Sequence, residues 1–324
     1  MSDARESDAR AIELRKVSRW FNGGTVKAVD DVSFMVHPGE CFGLIGPNGA
    51  GKTTSFSMMC GYLRPTHGQV RVMGEDPGRP GALKRRLGAL PQDAVLPFGA
   101  KVGWLLTYWA RLSGLPQPER EARESLEKMD LAQAWGMEPQ ELSHGMGKRV
   151  AMAQAMMGAP PVLLLDEPTS GLDPKNAAHV RGVIRDAKGR QTVVVSSHNL
   201  QELEELCDRV AILDRGKLQQ VGTVSELTSR SAEFRVQIAR GTVPLEAVKA
   251  LKGCAGASLP QPAMLVVQYD AKVSPDEEMI TATLQLLIGH GVFVLGVTRG
   301  RRLEERVLEL GEAPVVAAAV VSAS

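Results

Sequence analysis

The 324-residue chain has few cysteines, few aromatic residues and almost no net charge. Its four cysteines (Cys41, Cys60, Cys207 and Cys254) are scattered, and no two of them form a Cys-x-x-Cys pair. This spacing argues against a zinc site or a disulfide framework and is typical of a reducing cytoplasm. The net charge of +1 gives no electrostatic reason to expect nucleic acid or anionic lipid as a partner.

Long apolar runs are also missing. The nearest approach, residues 313–321, is far shorter than the roughly 20 apolar residues that a membrane-spanning helix needs. The N-terminal residues are polar and charged, without the apolar core of a signal peptide. These absences predict a chain that does not cross a membrane by itself.

The apolar pattern predicts an α/β domain followed by a smaller α+β domain, about two domains for this length. Strand-like runs alternate with helical stretches, which favours a mainly parallel sheet with helices on both faces. Two early runs flanking residues 22–24 predict an antiparallel β hairpin. The expected divisions are a disordered lead-in at 1–10, the α/β domain at 11–228 with a helical insertion at about 94–160, the α+β domain at 231–312 and a disordered tail at 313–324.

Within the insertion, the pattern predicts three helices, at 102–112, 119–129 and 147–157. In the second domain, strands are expected at 234–238, 265–267 and 292–297. Helices are expected there at 244–252, 275–289 and 302–310.

The most informative stretch follows a short apolar run, residues 40–45, that is typical of a buried strand. It fits the phosphate-binding pattern G-x-x-x-x-G-K-[ST] and leads into a helix. Glycines let the backbone approach a polyphosphate, which successive N–H groups and the helix N-terminus attract. The lysine adds charge for the β- and γ-phosphates, and the threonine hydroxyl can bind Mg²⁺. The candidate nucleotide-binding residues are Gly46, Pro47, Asn48, Gly49, Ala50, Gly51, Lys52, Thr53 and Thr54.

Two acidic residues end a later apolar run, at the edge where parallel sheets bind ligands. Asp166 is a candidate to hold Mg²⁺ through water, and Glu167 can accept a proton from an attacking water. Taken alone, the two acids are as well explained as a solvated strand cap. His198 follows the next apolar strand and can hydrogen-bond a phosphate and orient the water. We therefore predict Glu167, His198 and Lys52 as the catalytic residues.

In their order and spacing, these motifs resemble the ATP-binding subunit of an ABC transporter, over residues 12–225. The resemblance implies a P-loop NTPase fold of the ABC ATPase type. It makes 46–54 the Walker A loop, Asp166 and Glu167 the Walker B pair, and His198 the switch histidine. It also makes 170–173 the D-loop, which adds Asp173 to the nucleotide site.

The same resemblance assigns two residues outside these motifs. Gln92 would be the Q-loop glutamine, and it would bind Mg²⁺ together with Thr53 and Asp166. Phe21 falls near the aromatic residue that stacks on adenine in the family, although Trp20 is its neighbour and competes for that role.

The family signature Leu-Ser-Gly-Gly-Gln reads Leu-Ser-His-Gly-Met here, at residues 142–146. Ser143 and Gly145 match and begin a helix, so a hydroxyl and an N–H group can meet a γ-phosphate at its N-terminus. In the family, this segment completes the site of a second subunit across a head-to-tail dimer. His144 and Met146 depart from the pattern, but backbone donors survive such changes, so a working site is expected.

The resemblance implies hydrolysis of ATP with Mg²⁺ by a pair of ATP-binding subunits, most simply two copies of this chain. It implies a separate integral membrane permease as partner and a peripheral position on the cytoplasmic face of the cell membrane. The Gly145-Met146 ending of the signature and the additional C-terminal domain are similar to bacterial exporters of the ABC-2 type. The C-terminal domain has no chemical motif, and we expect it to support dimerisation or regulation.

Other functions stay open on the sequence alone. A soluble ABC ATPase could act on ribosomes or DNA, but this chain has one ATPase domain, no sustained heptads and no basic patch, so we expect no nucleic-acid partner. A degenerate subunit would need a better-equipped partner chain, and a non-hydrolysing clamp would lack the catalytic carboxylate. The presence of Glu167 and His198 argues against both.

An aromatic stripe in the helical insertion also has two interpretations. Trp104, Leu105, Tyr108, Trp109 and Leu112 recur at helical spacing, which predicts packing into the core. In the family, a groove beside the Q-loop receives a cytoplasmic helix of the membrane subunit. The alternative is therefore that some of these side chains are exposed for that contact.

Overall fold

The computed structural model describes residues 10–79, 81–229, 233–270 and 273–299. The chain passes from one compact unit to a second between Gly222 and Thr223. Most of the expected lead-in, the expected helix at 302–310 and the expected tail lie outside the described residues. Among the helices that are described, none is long and apolar enough to cross a membrane.

The first unit contains two sheets and six α-helices within its described residues. Its strands are β1 (Ile12–Phe21), β2 (Val26–Val36), β3 (Cys41–Ile45), β4 (His67–Val72), β5 (Leu87–Leu90), β6 (Val162–Asp166), β7 (Thr192–Ser196), β8 (Arg209–Asp214) and β9 (Lys217–Thr223). Its helices are α1 (Lys52–Met59), α2 (Val102–Ser113), α3 (Pro118–Lys128), α4 (His144–Met156), α5 (Pro174–Ala187) and α6 (Leu200–Leu206).

The central sheet has the strand order β5-β6-β7-β3-β8-β9, and strands β5, β6, β7, β3 and β8 pair in parallel. Every residue of β3, β6 and β7 is buried. Continuous burial is the mark of a parallel strand covered on both faces, and it explains why these strands are apolar runs rather than alternating patterns. The prediction of a mainly parallel sheet is confirmed.

A second, antiparallel sheet has the order β2-β1-β4. Its inner face and one face of the central sheet share a single hydrophobic core. Phe34 on β2 stacks on Phe42 on β3 with the ring centroids 5.3 Å apart. The hairpin expected around residues 22–24 is present, with a short 3₁₀ turn at Asn22–Gly24.

The helical insertion contains α2, α3 and α4, as the sequence predicts, but α4 begins at His144 rather than at 147. The earlier start follows from a cap, because the Ser143 hydroxyl accepts a hydrogen bond from the Met146 N–H over 3.2 Å. On α2, Leu105 is buried, but Trp104, Tyr108 and Leu112 are 58%, 44% and 55% exposed. The core interpretation of the aromatic stripe is therefore wrong for these three residues.

The second unit is an antiparallel sheet with helices. Its elements are α7 (Val224–Ser229), β10 (Glu233–Arg240), α8 (Leu245–Lys249), β11 (Cys254–Gln261), β12 (Met264–Tyr269), α9 (Asp276–Gly289) and β13 (Phe293–Arg299). The strand order is β11-β12-β10-β13, and alternate residues such as Phe234, Val236 and Val267 form its core. The sequence did not predict β11, because its glycine, alanine, serine and proline residues are poor strand formers and it lies at the sheet edge.

Gly88 in β5 tests the packing between the central sheet and the insertion. A Cβ at this position would overlap the backbone carbonyl oxygen of Ala155 on α4 and crowd Leu163 and Pro160. We expect Gly88→Ala to lower the free energy of unfolding by about 1–3 kcal/mol, because a backbone atom must shift. Chemical denaturation measures the change, with Gly136→Ala as control since a Cβ there meets nothing within 4 Å. Equal stability of the two variants would contradict this packing.

Candidate active site

The candidate site lies where three neighbouring strands of the central sheet end. Strands β6, β7 and β3 are adjacent, and each is followed directly by a predicted motif. Because parallel strands present their carboxyl ends at one edge, the sheet brings the three motifs together although 152 residues separate Gly46 from His198.

The phosphate loop connects β3 to α1, and its backbone adopts a conformation that requires glycine at two positions. Gly51 has φ +101°, and a Cβ on it would lie 2.5 Å from the carbonyl oxygen of Ala28. Gly46 is equally confined, because a Cβ there would overlap the carbonyl oxygen of Leu213. A side chain at either position would displace the loop backbone, so the two glycines fix where the N–H groups and the N-terminus of α1 are presented.

Lys52 is the first residue of α1 and is buried within this loop. Its Nζ donates hydrogen bonds to the carbonyl oxygens of Gly46, over 2.6 Å, and Pro47, over 3.2 Å. Burial lowers the pKa of Lys52, and the nearby carboxylates of Glu167 and Asp166 oppose that shift. The ammonium group is thus held next to the loop and within the field of both acidic residues.

Oxygen donors converge beside the loop. The Thr53 hydroxyl donates to Oε1 of Gln92 over 3.3 Å, which connects the loop to the segment after β5. Asp166 is buried at the end of β6, and its Oδ1 accepts a hydrogen bond from the Ser196 hydroxyl on β7. A hydroxyl, an amide oxygen and a carboxylate are hard ligands of the kind that Mg²⁺ prefers, so these residues fit that ion.

Glu167 and His198 form the closest pair of predicted catalytic residues. The Nδ1–H of His198 donates to Glu167 Oε2 over 2.7 Å. The Glu167 side chain is 9% exposed, whereas that of His198 is 66% exposed. Glu167 also has φ +52°, in a left-handed region that costs a non-glycine residue about 1–3 kcal/mol. The main chain at this position is therefore held by its surroundings, and the carboxylate is hydrogen-bonded to the histidine.

The signature residues lie at the start of α4, next to the D-loop of the same chain. A Cβ on Gly145 would be 3.3 Å from Leu172, and one on Gly171 would be 2.9 Å from the His144 ring. Asp173 caps α5 by accepting a hydrogen bond from the Asn176 N–H over 3.0 Å, and this bond lowers the pKa of Asp173. Among the described residues, no hydrogen bond or ion pair joins Ser143, Gly145 or Asp173 to the phosphate loop.

Phe21 ends β1, on the antiparallel sheet, and is partly exposed. The guanidinium of Arg19 lies 4.7 Å from the centroid of its ring. The adjacent Trp20 packs differently, with the ring of His67 at 4.8 Å and the Lys27 ammonium at 4.9 Å. Trp20 thus has two such neighbours and Phe21 has one, and the assignment of Phe21 to stacking on adenine stays a prediction.

Two buried charged residues at the site were not predicted from the sequence. Lys148 on α4 and Glu202 on α6 are 8% and 4% exposed, and both contact the segment after Glu167. The sequence signal was weak, because each is a charged residue on a helix that has other charged residues nearby. Burial lowers the pKa of Lys148, and Glu167 is the strongest of the carboxylates that oppose this effect.

A phosphate loop, an acidic strand end and a histidine on a parallel sheet define a P-loop nucleoside triphosphatase. Comparison with known proteins specifies the class further. The family model described as "ABC transporter" matches residues 29–170. The chain is 30% identical to the linearmycin resistance ATP-binding protein LnrL of Bacillus subtilis, over 85% of this chain and 90% of that protein. It is 37% identical to the Nod factor export ATP-binding protein I of Paraburkholderia xenovorans, over 67% of this chain and 72% of that protein.

Solved structures agree with these relatives. An ATP-binding subunit of an ABC transporter superposes with a TM-score of 0.62 and 28% identity, covering 67% of this chain and 91% of that one. An ATP-bound bacterial Atm1-family ABC exporter superposes with a TM-score of 0.61 and 25% sequence identity, and the match covers 68% of this chain and 40% of that one. The chain therefore belongs to the ATP-binding subunits of ABC transporters, and it is an ATPase.

Proposed function

We propose that this chain hydrolyses ATP as one half of a head-to-tail pair and thereby drives export through a separate membrane permease. The observation that carries the proposal is the Glu167–His198 pair, at 2.7 Å, beside Lys52 at one sheet edge. ATP would bring the two subunits together, and hydrolysis would release them, so that the permease alternates between two openings.

In this reaction a water molecule attacks the γ-phosphorus while ADP leaves. Glu167 accepts the proton of that water, and His198, through its exposed ring, orients the water and the γ-phosphate. Lys52 and the loop N–H groups stabilise the charge on the phosphates, so catalysis is mainly positioning and electrostatic stabilisation. The histidine also holds the carboxylate by its hydrogen bond, which fixes the direction from which the proton is taken.

Thr53, Gln92 and Asp166 would hold Mg²⁺. The ion, when bound, supplies positive charge that neutralises the phosphate oxygens. The hydrogen bond between Thr53 and Gln92 means that the segment after β5 is coupled to the phosphate loop. The hydrogen bond between Ser196 and Asp166 holds the carboxylate at the strand end.

A second copy is proposed because part of the predicted site is not joined to the rest within the described part of one chain. Ser143 and Gly145 lie at an exposed helix N-terminus, a favourable position for a phosphate. Gly145 lies beside Leu172 of the D-loop. A head-to-tail arrangement would place this helix start and Asp173 against the nucleotide of the other subunit. The second compact unit would support this pairing of subunits or regulate it.

Export is proposed from the relatives whose names describe Nod factor export and linearmycin resistance. The chain would act on the cytoplasmic face of the membrane, attached through the permease and without a nucleic-acid partner. A soluble ABC ATPase acting on ribosomes or DNA is the competing function. It would share the same chemistry and differ only in its partner.

The permease would contact a cleft of about 260 Å³ between the central sheet and the helical insertion. Trp109 and Ser113 on α2, Gln154 on α4 and the exposed Tyr62 after α1 line this cleft. The cleft is open and has both apolar and polar walls. It lies between the end of α1, the helix that follows the phosphate loop, and the end of α4, the signature helix. A helix of the permease seated there would respond to movement of α4 relative to α1.

The test is affinity purification of tagged Glu167→Gln chain from detergent-solubilised membranes of its own cells, with ATP and Mg²⁺. We expect a multi-spanning membrane protein in stoichiometric amount, and ribosomes, DNA or soluble partners alone would contradict the transporter proposal. Adding Tyr62→Glu to this chain should reduce recovery of the membrane protein by about tenfold, because a buried charge at the contact costs at least about 1.4 kcal/mol. Val273→Glu, at a half-exposed position in the second unit, is the control and should leave recovery unchanged.

A further inference from the structure

Two buried charged side chains of opposite sign hold the short segment that follows Glu167. The segment is Thr169–Ser170, and the two side chains are Glu202 from α6 and Lys148 from α4. We refer to Lys148 and Glu202 as the clamp. Neither residue belongs to a motif on which the proposed catalytic roles depend.

Glu202 connects the segment to the histidine loop. Its Oε2 accepts a hydrogen bond from the Thr169 hydroxyl, over 2.8 Å, and another from the Ser197 hydroxyl, over 2.9 Å. Thr169 is two residues after Glu167, and Ser197 directly precedes His198. One carboxylate oxygen therefore joins the chain segments that hold the two members of the catalytic pair.

Glu202 is itself held rigidly. Its N–H donates to the side-chain oxygen of Asn199, the N-cap of α6, over 3.3 Å. Its Oε1 is buried and accepts no hydrogen bond from the described part of the chain.

Lys148 connects the same segment to the signature helix. Its Nζ donates to the carbonyl oxygen of Ser170 over 3.0 Å, and its charge lies in the field of Glu167, Asp166 and Glu202. Lys148 is five residues after Ser143, on the helix that Ser143 caps. The Lys148 ammonium group therefore connects α4 directly to the main chain after Glu167.

These contacts help to hold the main chain of Glu167 in its strained conformation. A residue at φ +52° stays there only when its neighbours over-determine it. On the side before it, the Glu167 N–H is held by the Ser196 hydroxyl over 3.1 Å. On the side after it, the segment Thr169–Ser170 is held by the clamp. Release of either clamp contact would let the carboxylate turn away from His198.

We propose that Lys148 and Glu202 are positioning residues for hydrolysis, which keep the Glu167 carboxylate in line with His198 and connect its placement to the signature helix. The inference rests on the proposed catalytic role of Glu167. Neither clamp residue contacts the phosphate loop by a hydrogen bond among the described residues, so the effect is on turnover rather than on ATP binding.

Steady-state hydrolysis by purified full-length chain tests the clamp. We expect Lys148→Met and Glu202→Ala each to lower kcat about 10- to 100-fold, the loss that a misplacement of about 1 Å produces. KM for ATP should stay within about twofold. Gln201→Ala truncates the exposed neighbour of Glu202 on α6, and Lys217→Met removes an exposed lysine on β9. Both controls should match the unmodified chain.

Conservative variants separate positioning from a folding defect. Lys148→Arg keeps a donor near the Ser170 carbonyl and should recover most of kcat, while Lys148→Met should still bind fluorescent ATP with unmodified affinity. In a Glu167→Gln background, adding Glu202→Ala should not lower the residual single-turnover rate further, because residues that act as a unit are not additive.

The outcomes distinguish failure of the clamp from failure of the proposed function. Turnover of both clamp variants within about twofold of the unmodified chain would overturn the clamp while Glu167→Gln remained inactive. A further loss in the Glu167→Gln background, or no recovery with Lys148→Arg, would also overturn it. Full turnover in Glu167→Gln alone would instead reject the proposed function on which the clamp depends.

Discussion

Glu167→Gln is expected to reduce the rate of ATP hydrolysis by about 10²- to 10⁴-fold, the range of a general base. The change keeps the shape of the side chain and its position at the end of β6, but the amide cannot accept a proton from water. ATP affinity should stay unchanged, because Lys52 and the loop N–H groups are intact. The variant should therefore accumulate an ATP-dependent dimer that cannot proceed.

Phosphate release with the purified chain measures the first effect, and size-exclusion chromatography with and without ATP measures the second. Glu246→Gln removes an exposed carboxylate of the second unit, whose partner is Lys249, and serves as the isosteric control. Ordinary turnover in Glu167→Gln would reject its catalytic role. Loss of ATP binding would show instead that the substitution disturbs the phosphate loop.

Lys52→Ala should weaken ATP binding about 10- to 100-fold, which corresponds to the roughly 1.5–3 kcal/mol of a hydrogen bond to a charged group. The lysine is buried at the start of α1, and its ammonium lies 2.6 Å from the Gly46 carbonyl oxygen. Removing it takes away both the charge for the phosphates and a contact that shapes the loop. Turnover should fall at least in proportion.

Equilibrium titration with a fluorescent ATP analogue gives the dissociation constant. Lys84→Ala removes a lysine that is exposed and distant in sequence, and it should bind normally. Unmodified affinity in Lys52→Ala would contradict the assignment of residues 46–54 to the phosphates. A lower affinity with unmodified kcat would assign the lysine to binding alone.

The sequence predicted the central sheet well because its signals are local. Strands such as β6 and β7 are short apolar runs that end in polar motifs, and the glycine spacing before α1 is typical of a phosphate-binding loop. The ABC transporter resemblance, the fold class and ATPase activity are confirmed by the comparisons. The roles of the individual site residues stay predictions.

Other features depend on contacts that no local pattern contains. Strand β11 forms because β12 pairs with it, in spite of its composition. Trp104 and Tyr108 stack on each other at 5.2 Å on an exposed helix face, although their spacing is that of a core stripe. The clamp was missed for the same reason, since Lys148 and Ser170 are brought together only by packing of α4 against the segment after β6.

Strands β6, β7 and β3 are adjacent, so the spacing between hydrogen-bonded strands sets the width of the site. Neighbouring strands are about 4.8 Å apart, so the loops after β6 and β3 begin about 10 Å from each other whatever side chains fill the strands. Exchanges among buried aliphatic residues would leave this spacing intact. An inserted or deleted residue within one strand would move its loop by about 3.3 Å and turn its side chains to the opposite face. The width of the site therefore depends on the length and pairing of these strands rather than on which aliphatic residues fill them.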